Sequence, residues 1–129
     1  MKIVVLGDIH GRLWWKDIIV AEPDADKYVF LGDYVSTHKL ITAEQQISNM
    51  SDILDFKEQN PDKVILLRGN HDCQHLFPET CFECCAYNRK VARFMHSIED
   101  RFLNNTQWVY IYVNFLFSHA GVSKVWMEN

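Results

Sequence analysis

Three short apolar runs constrain this chain more than any other feature. Residues 2–6 (KIVVL), 27–31 (KYVFL) and 63–67 (KVILL) are rich in β-branched and aromatic side chains, and each leads within two residues into a glycine followed by Asp or Asn. Runs of this length bounded by turn residues read as buried strands. Residues 12–21 read as a short helix with Pro23 as its stop, and residues 42–59 as an amphipathic helix ended by Pro61. Thr42 and Gln45 stand at the spacing of a capping box. Ile47, Met50, Ile53 or Leu54, and Lys57 trace the inner face of that helix, with Asn49, Ser51, Asp52 and Glu58 mostly elsewhere. Strands joined by helices predict an α/β fold, a mostly parallel sheet with both faces covered. Further on, residues 86–103 read as one long helix, turning Tyr87, Val91, Phe94, Met95, Ile98 and Phe102 to the core. Residues 107–112 and 114–117 are β-rich and pair antiparallel through a tight turn near Val113.

The bulk properties narrow the class. A length of 129 residues suits one domain, 1–129. Apolar residues at 48% and aromatics at 13% provide a core and argue against disorder. The formal charge of −4 offers no basic surface to nucleic acid. A phosphorylated substrate stays open, because a bound metal can supply local positive charge. The longest apolar stretch, 108–117, is interrupted by Asn114 and falls short of the roughly 20 residues a spanning helix needs. The start, MKIVVLGD, has neither the length nor the cleavage site of a signal peptide. The expectation is a soluble, cytoplasmic protein without a membrane partner. Cys73, Cys81, Cys84 and Cys85 then read as free thiols, with a zinc site involving His71 or His75 as the less favoured alternative.

Four apolar runs end in polar clusters: Gly7-Asp8-Ile9-His10-Gly11, Gly32-Asp33-Tyr34, Gly69-Asn70-His71-Asp72 and Ser118-His119-Ala120-Gly121. Loops at the carboxyl ends of strands converge in an open α/β sheet. Asp8, His10, Asp33, Asn70, His71 and His119 are therefore expected at one crevice, although they span more than a hundred residues. Carboxylate, imidazole and amide oxygen are donors that Mn, Fe and Zn accept. Asp8 and His10, two apart in extended chain, point the same way and can grip one ion together. A carboxylate between two ions can bridge them, and Asp33 is the candidate. Any one of these clusters would be an ordinary turn; four, each after a strand, favour a metal site.

GDIHG (7–11), GDYV (32–35), LLRGNHD (66–72) and SHAGV (118–122), in this order, resemble the boxes of the calcineurin-like metallophosphoesterases. The bacterial and phage branch of the serine/threonine protein phosphatase group is the nearest in pattern. The resemblance implies an αββα-like sheet flanked by helices and metal-dependent hydrolysis of phosphate monoesters. It implies two divalent ions, with Mn first and Fe or Zn as alternatives. Asp8 and His10 would bind the first, Asp33 both, and Asn70 and His119 the second. The nucleophile would be a metal-bridging hydroxide, His71 the general acid, and Arg68 a contact to phosphate oxygens. Dinucleoside polyphosphate hydrolysis or phosphodiesterase activity is compatible with the same boxes.

The chain departs from that pattern in two places. The phosphatases carry Asp-Arg-Gly where this chain has Ser36-Thr37-His38. Their Asp orients the catalytic histidine and their Arg grips the phosphate. Here Ser36 would accept from His71 without charge, Asp72 would partly compensate, and His38 would offer phosphate a donor. The family also carries a further Gly-His box downstream of the His119 box, and this sequence has none in the ten residues that follow. The expectation is that only the N-terminal portion of the domain is present. The second metal would then be incomplete, the exposed half-domain face would suit a second copy of the chain, and a catalytically incomplete binding module becomes a rival to an enzyme.

Overall fold

Alternating apolar residues build the sheet that positions everything else. The computed structural model describes residues 1–37, 39–77, 86–121 and 123–124. Strands β1 (Ile3–Leu6), β2 (Lys27–Phe30) and β3 (Val64–Leu66) lie side by side, all parallel, with Val4 opposite Tyr28 and Phe30 opposite Leu66. Successive strand residues face opposite sides. Leu6, Phe30 and Leu66 face one side and join the main core. Val29, Ile65 and Leu67 face the other.

Helices cover the first side. Helix α1 (Trp14–Ala21) adds Trp15, and α2 (Ala43–Gln59) adds Met50, Ile53 and Leu54. Val91 and Met95 come from α4 (Arg89–Ser97), and Phe102 from α5 (Glu99–Asn105). Truncating one of these fully buried Leu or Ile side chains to Ala costs about 2–5 kcal/mol. The second side is covered by an antiparallel hairpin, β4 (Val109–Tyr112) and β5 (Phe115–Ser118). Its Tyr110 and Phe117 pack on Val29, Ile65 and Leu67. Val113 takes the turn at a φ of 56°. The rest of the hairpin is open, with Ile111 64% and Phe115 55% exposed. Among the described residues no helix is long and apolar enough to cross a membrane.

Four local features differ from the sequence reading. In place of one helix over 86–103 there are two, α4 and α5, because Ile98 leaves helical geometry at φ −113° and ψ 18°. A further short helix, α3 (Asn70–Leu76), begins inside the third polar cluster. Its first turn is held by the Asp72 carboxylate, which accepts from the Gly69 amide at 2.9 Å. On α2, Gln46 and Asn49 are buried, so Asn49 faces inward rather than to solvent. Both are fully engaged: Asn49 accepts from Trp15 Nε1 and donates to the Arg12 carbonyl, while Gln46 accepts from the Ser36 amide. Gln45, which the capping box would turn back on Thr42, donates to the Gly11 carbonyl instead. The amino half of α2 thus presents amides, not hydrocarbon, to the loops after β1 and β2.

Candidate metal centre

Each functional side chain sits just beyond a strand or in a loop whose backbone leaves it little freedom. His10, Asp33 and Ser36 all have positive φ, at 49°, 56° and 72°, a region that side-chain-bearing residues rarely occupy. The loops after β2 and β3 touch backbone to backbone. A Cβ on Gly32, itself at φ 111°, would lie 2.6 Å from the Gly69 nitrogen, and one on Gly69 would lie 2.1 Å from Asp33 Oδ1. Only glycine fits either place.

Asp72 locks this contact. It is wholly buried, and its carboxylate accepts from the amides of Asp33, Tyr34 and Gly69, each at 2.9 Å. Burial and the nearby Asp33 carboxylate push its pKa up to about 7, against the pull of the three amides. The expectation that Asp72 helps orient His71 is corrected here: both its oxygens are spent on backbone amides. It braces the loops and does not reach into the site.

Asp8, His10, Asp33, Asn70 and His119 meet at the carboxyl ends of the strands. The Asp33 Oδ2 atom is common to both sides, 3.8 Å from His10 Nε2 and 3.3 Å from His119 Nε2. Asp8 Oδ2 is 3.4 Å from His10 Nε2, and Asp8 Oδ1 is 3.9 Å from His119 Nδ1. Asn70 Oδ1 is 2.9 Å from His119 Nε2. Asp33 Oδ1 accepts from the His71 amide at 2.9 Å, which turns Oδ2 toward the cluster.

These residues fit a bound cation. One ligand atom each from Asp8, Asp33 and His119 can be chosen so that all lie within 4.8 Å of one another. His10 Nδ1 donates to the Ser36 carbonyl at 2.8 Å, and His119 Nδ1 donates to the Leu31 carbonyl at 2.9 Å. A histidine whose one nitrogen is tied to a carbonyl presents the other as a ligand. Both Nε2 atoms therefore face Asp33. The Asp33 carboxylate beside it raises the His119 pKa to about 9, outweighing burial. Burial pushes Asp33 up, but the His119 ring and the His71 amide outweigh it and hold the carboxyl below its ordinary value.

His71 stands next to this cluster, edge-on to His10 with ring centroids 5.2 Å apart. Burial lowers its pKa. With His10, Arg12, Ser36, Thr37 and Lys39 it lines a cavity of about 220 Å³. Its Nδ1 does not meet Ser36 directly. The Gln74 amide nitrogen lies between them, 3.2 Å from His71 Nδ1 and 3.1 Å from Ser36 Oγ. Sequence reading missed Gln74. It follows His71 by three, so on a helix the two share a face; the signal appears only once residues 70–76 are known to be helical.

Arg68 is placed differently from the expected phosphate contact. Its Nε donates to Thr106 Oγ1 at 2.8 Å, and its Nη2 donates to the carbonyls of Leu103 and Thr106. Its guanidinium stacks on Trp108 at 4.9 Å. With Asn70, Trp108 and His119 it also lines a wider cavity of about 490 Å³, so it lies near the centre with these two nitrogens already engaged. Cys73 is buried. His38, Cys81, Cys84, Cys85 and Trp126 lie outside the described residues.

A solved serine/threonine phosphatase from Saccharomyces cerevisiae, described as similar to human phosphatase PP5, matches at 20% identity and a TM-score of 0.43. The match covers 75% of this chain, which spans about a third (33%) of that one. The whole sequence, residues 1–129, matches the family described as calcineurin-like phosphoesterases, and the chain belongs to that family.

Proposed function

We propose that this chain carries the metal-holding part of a phosphomonoester hydrolase, of the kind that acts on phosphoserine or phosphothreonine. The observation that carries the reading is the gathering of two carboxylates, two imidazoles and an amide oxygen around Asp33 Oδ2. Asp8 and His10 would hold one divalent ion, Asn70 and His119 a second, and Asp33 both. Mn fits this mixed oxygen and nitrogen set, with Fe or Zn as alternatives. When bound, such ions activate water and neutralise charge on the phosphoryl group. The chain's own residues do the rest. His71 faces the leaving-group side through the cavity it shares with Arg12 and Lys39. Those two cations take the phosphate oxygens, the task that Arg68 Nε and Nη2 are too engaged to perform.

The test is to load the protein with Mn²⁺ and supply p-nitrophenyl phosphate, a phosphopeptide, a bis-aryl phosphate and dinucleoside tetraphosphate. Hydrolysis of the monoesters, abolished by Asp33→Asn together with tight metal binding, is the expected result. Preference for the bis-aryl ester or the dinucleotide would reassign the substrate class. A second reading draws on Ser36 in place of a carboxylate: tight metal binding with no turnover on any of the four would identify a binding module.

A further inference from the structure

We propose that Gln74 is the positioning residue for His71: anchored on Ser36, its amide donates to Nδ1 and fixes the imidazole with its hydrogen on Nε2, toward the cavity. The role for His71 rests on the function proposed above; the hydrogen-bond pattern does not.

The carboxamide NH₂ group has two hydrogens, one for each of two neighbours. Ser36 Oγ lies 3.1 Å from the Gln74 nitrogen and His71 Nδ1 lies 3.2 Å from it. Gln74 and Ser36 are each 1% exposed, so water does not compete for these groups. Ser36 is itself pinned, its amide donating to Gln46 Oε1 at 2.8 Å, with Gln46 reaching in from α2. The chain of contacts runs from α2 through Ser36 and Gln74 to the imidazole. Among the described residues the nearby carboxylates are engaged elsewhere: Asp72 with three amides and Asp33 Oδ1 with the His71 backbone.

A neutral donor at Nδ1 does the opposite of what a carboxylate does there. A carboxylate draws the hydrogen onto Nδ1, and Nε2 then carries one only when the ring is charged. An amide N–H needs the Nδ1 lone pair, so the neutral ring keeps its hydrogen on Nε2. His71 so held is a hydrogen-bond donor to the leaving oxygen at neutral charge, a use of neutral imidazole known in other enzymes.

The protein carrying ¹⁵N-histidine, metal-free, provides the direct test, with the His71 signals identified through His71→Asn. In the wild type, neutral His71 is expected with Nε2 protonated and Nδ1 bare. Gln74→Glu, which offers an acceptor, moves the hydrogen to Nδ1, and Gln74→Met populates both forms. A protonated Nδ1 in the neutral wild-type ring, or Gln74→Met signals identical to wild type, would overturn the proposal. Turnover with Mn²⁺ supplies a second readout. Gln74→Met is expected to lower kcat about tenfold on phenyl phosphate, a poor leaving group, and less than about twofold on p-nitrophenyl phosphate, with KM unchanged. Equal losses on the two esters would also overturn it. A wild type that hydrolyses neither ester overturns the function proposed above, and the nitrogen signals then decide the role of Gln74 alone.

Discussion

His119 shows how one side chain serves two charge states. Both of its ring nitrogens face oxygen, Nδ1 at the Leu31 carbonyl and Nε2 at Asp33 and Asn70. Asp33 holds its pKa at about 9, well above the ordinary 6.5. A raised folded-state pKa gives stability that is fully present below the unfolded value and is lost as pH rises through the folded one. Chelator-treated protein is therefore expected to lose stability between about pH 6.5 and 9, read from urea denaturation across that range. Binding an ion needs the bare Nε2, so loading at pH 7 should release about one proton per chain. Titration calorimetry in two buffers of different ionisation enthalpy measures that proton. Equal heats in both buffers would mean that His119 is not a ligand.

At the scale of elements, the short α3 and the loop after β2 form one unit with Asp72 as its pin. Asp72→Asn keeps the shape but replaces one acceptor oxygen with a donor that faces amides. Hydrogen bonds to a charged group are worth about 1.5–3 kcal/mol each, so the variant should lose about 3 kcal/mol of stability, measured by urea unfolding. If Asp72 acted on the chemistry instead, turnover would fall while stability held. This scale also shows what the sequence disclosed and what it hid. The three strands and the first two helices were legible because a period of two or of 3.6 in the apolar residues is a local signal. The gathering of Asp8, His10, Asp33, Asn70 and His119 was legible because each follows a strand end, and strand ends converge. Helix α3 was hidden because its residues, NHDCQHL, are mostly polar and held from outside by tertiary amide contacts. Gln74 was hidden with it. The break at Ile98 was hidden because the apolar spacing runs on through 86–103 with no Gly or Pro to mark it. The inward turn of Asn49 was hidden because its partners, Trp15 and Arg12, are far away in sequence.

The whole molecule is a parallel sheet with helices on one side and a hairpin on the other, and its centre joins loops from three strands of the sheet and one of the hairpin. Such a centre exists only in the folded chain, so an ion that binds it stabilises the whole fold. At a free Mn²⁺ concentration about 100 times its dissociation constant, the gain is about 2.7 kcal/mol. Thermal unfolding is expected to shift upward with added Mn²⁺ and return with chelator, and Asp33→Asn should remove the shift. A variant that keeps the full shift would mean that the ion binds elsewhere.

The seating of Gly32 against Gly69 decides which side chain at this centre has room to move. Those two loops are pressed together with no room for even one added carbon, and Asp72 clamps them, so Asp33 and Asn70 keep a constant separation. Asp8 is different: half exposed, it follows a glycine with open space around it. Were ions of unequal radius to exchange at this centre, the Asp8 carboxylate would have the room to swing, while the opposite wall is held in place.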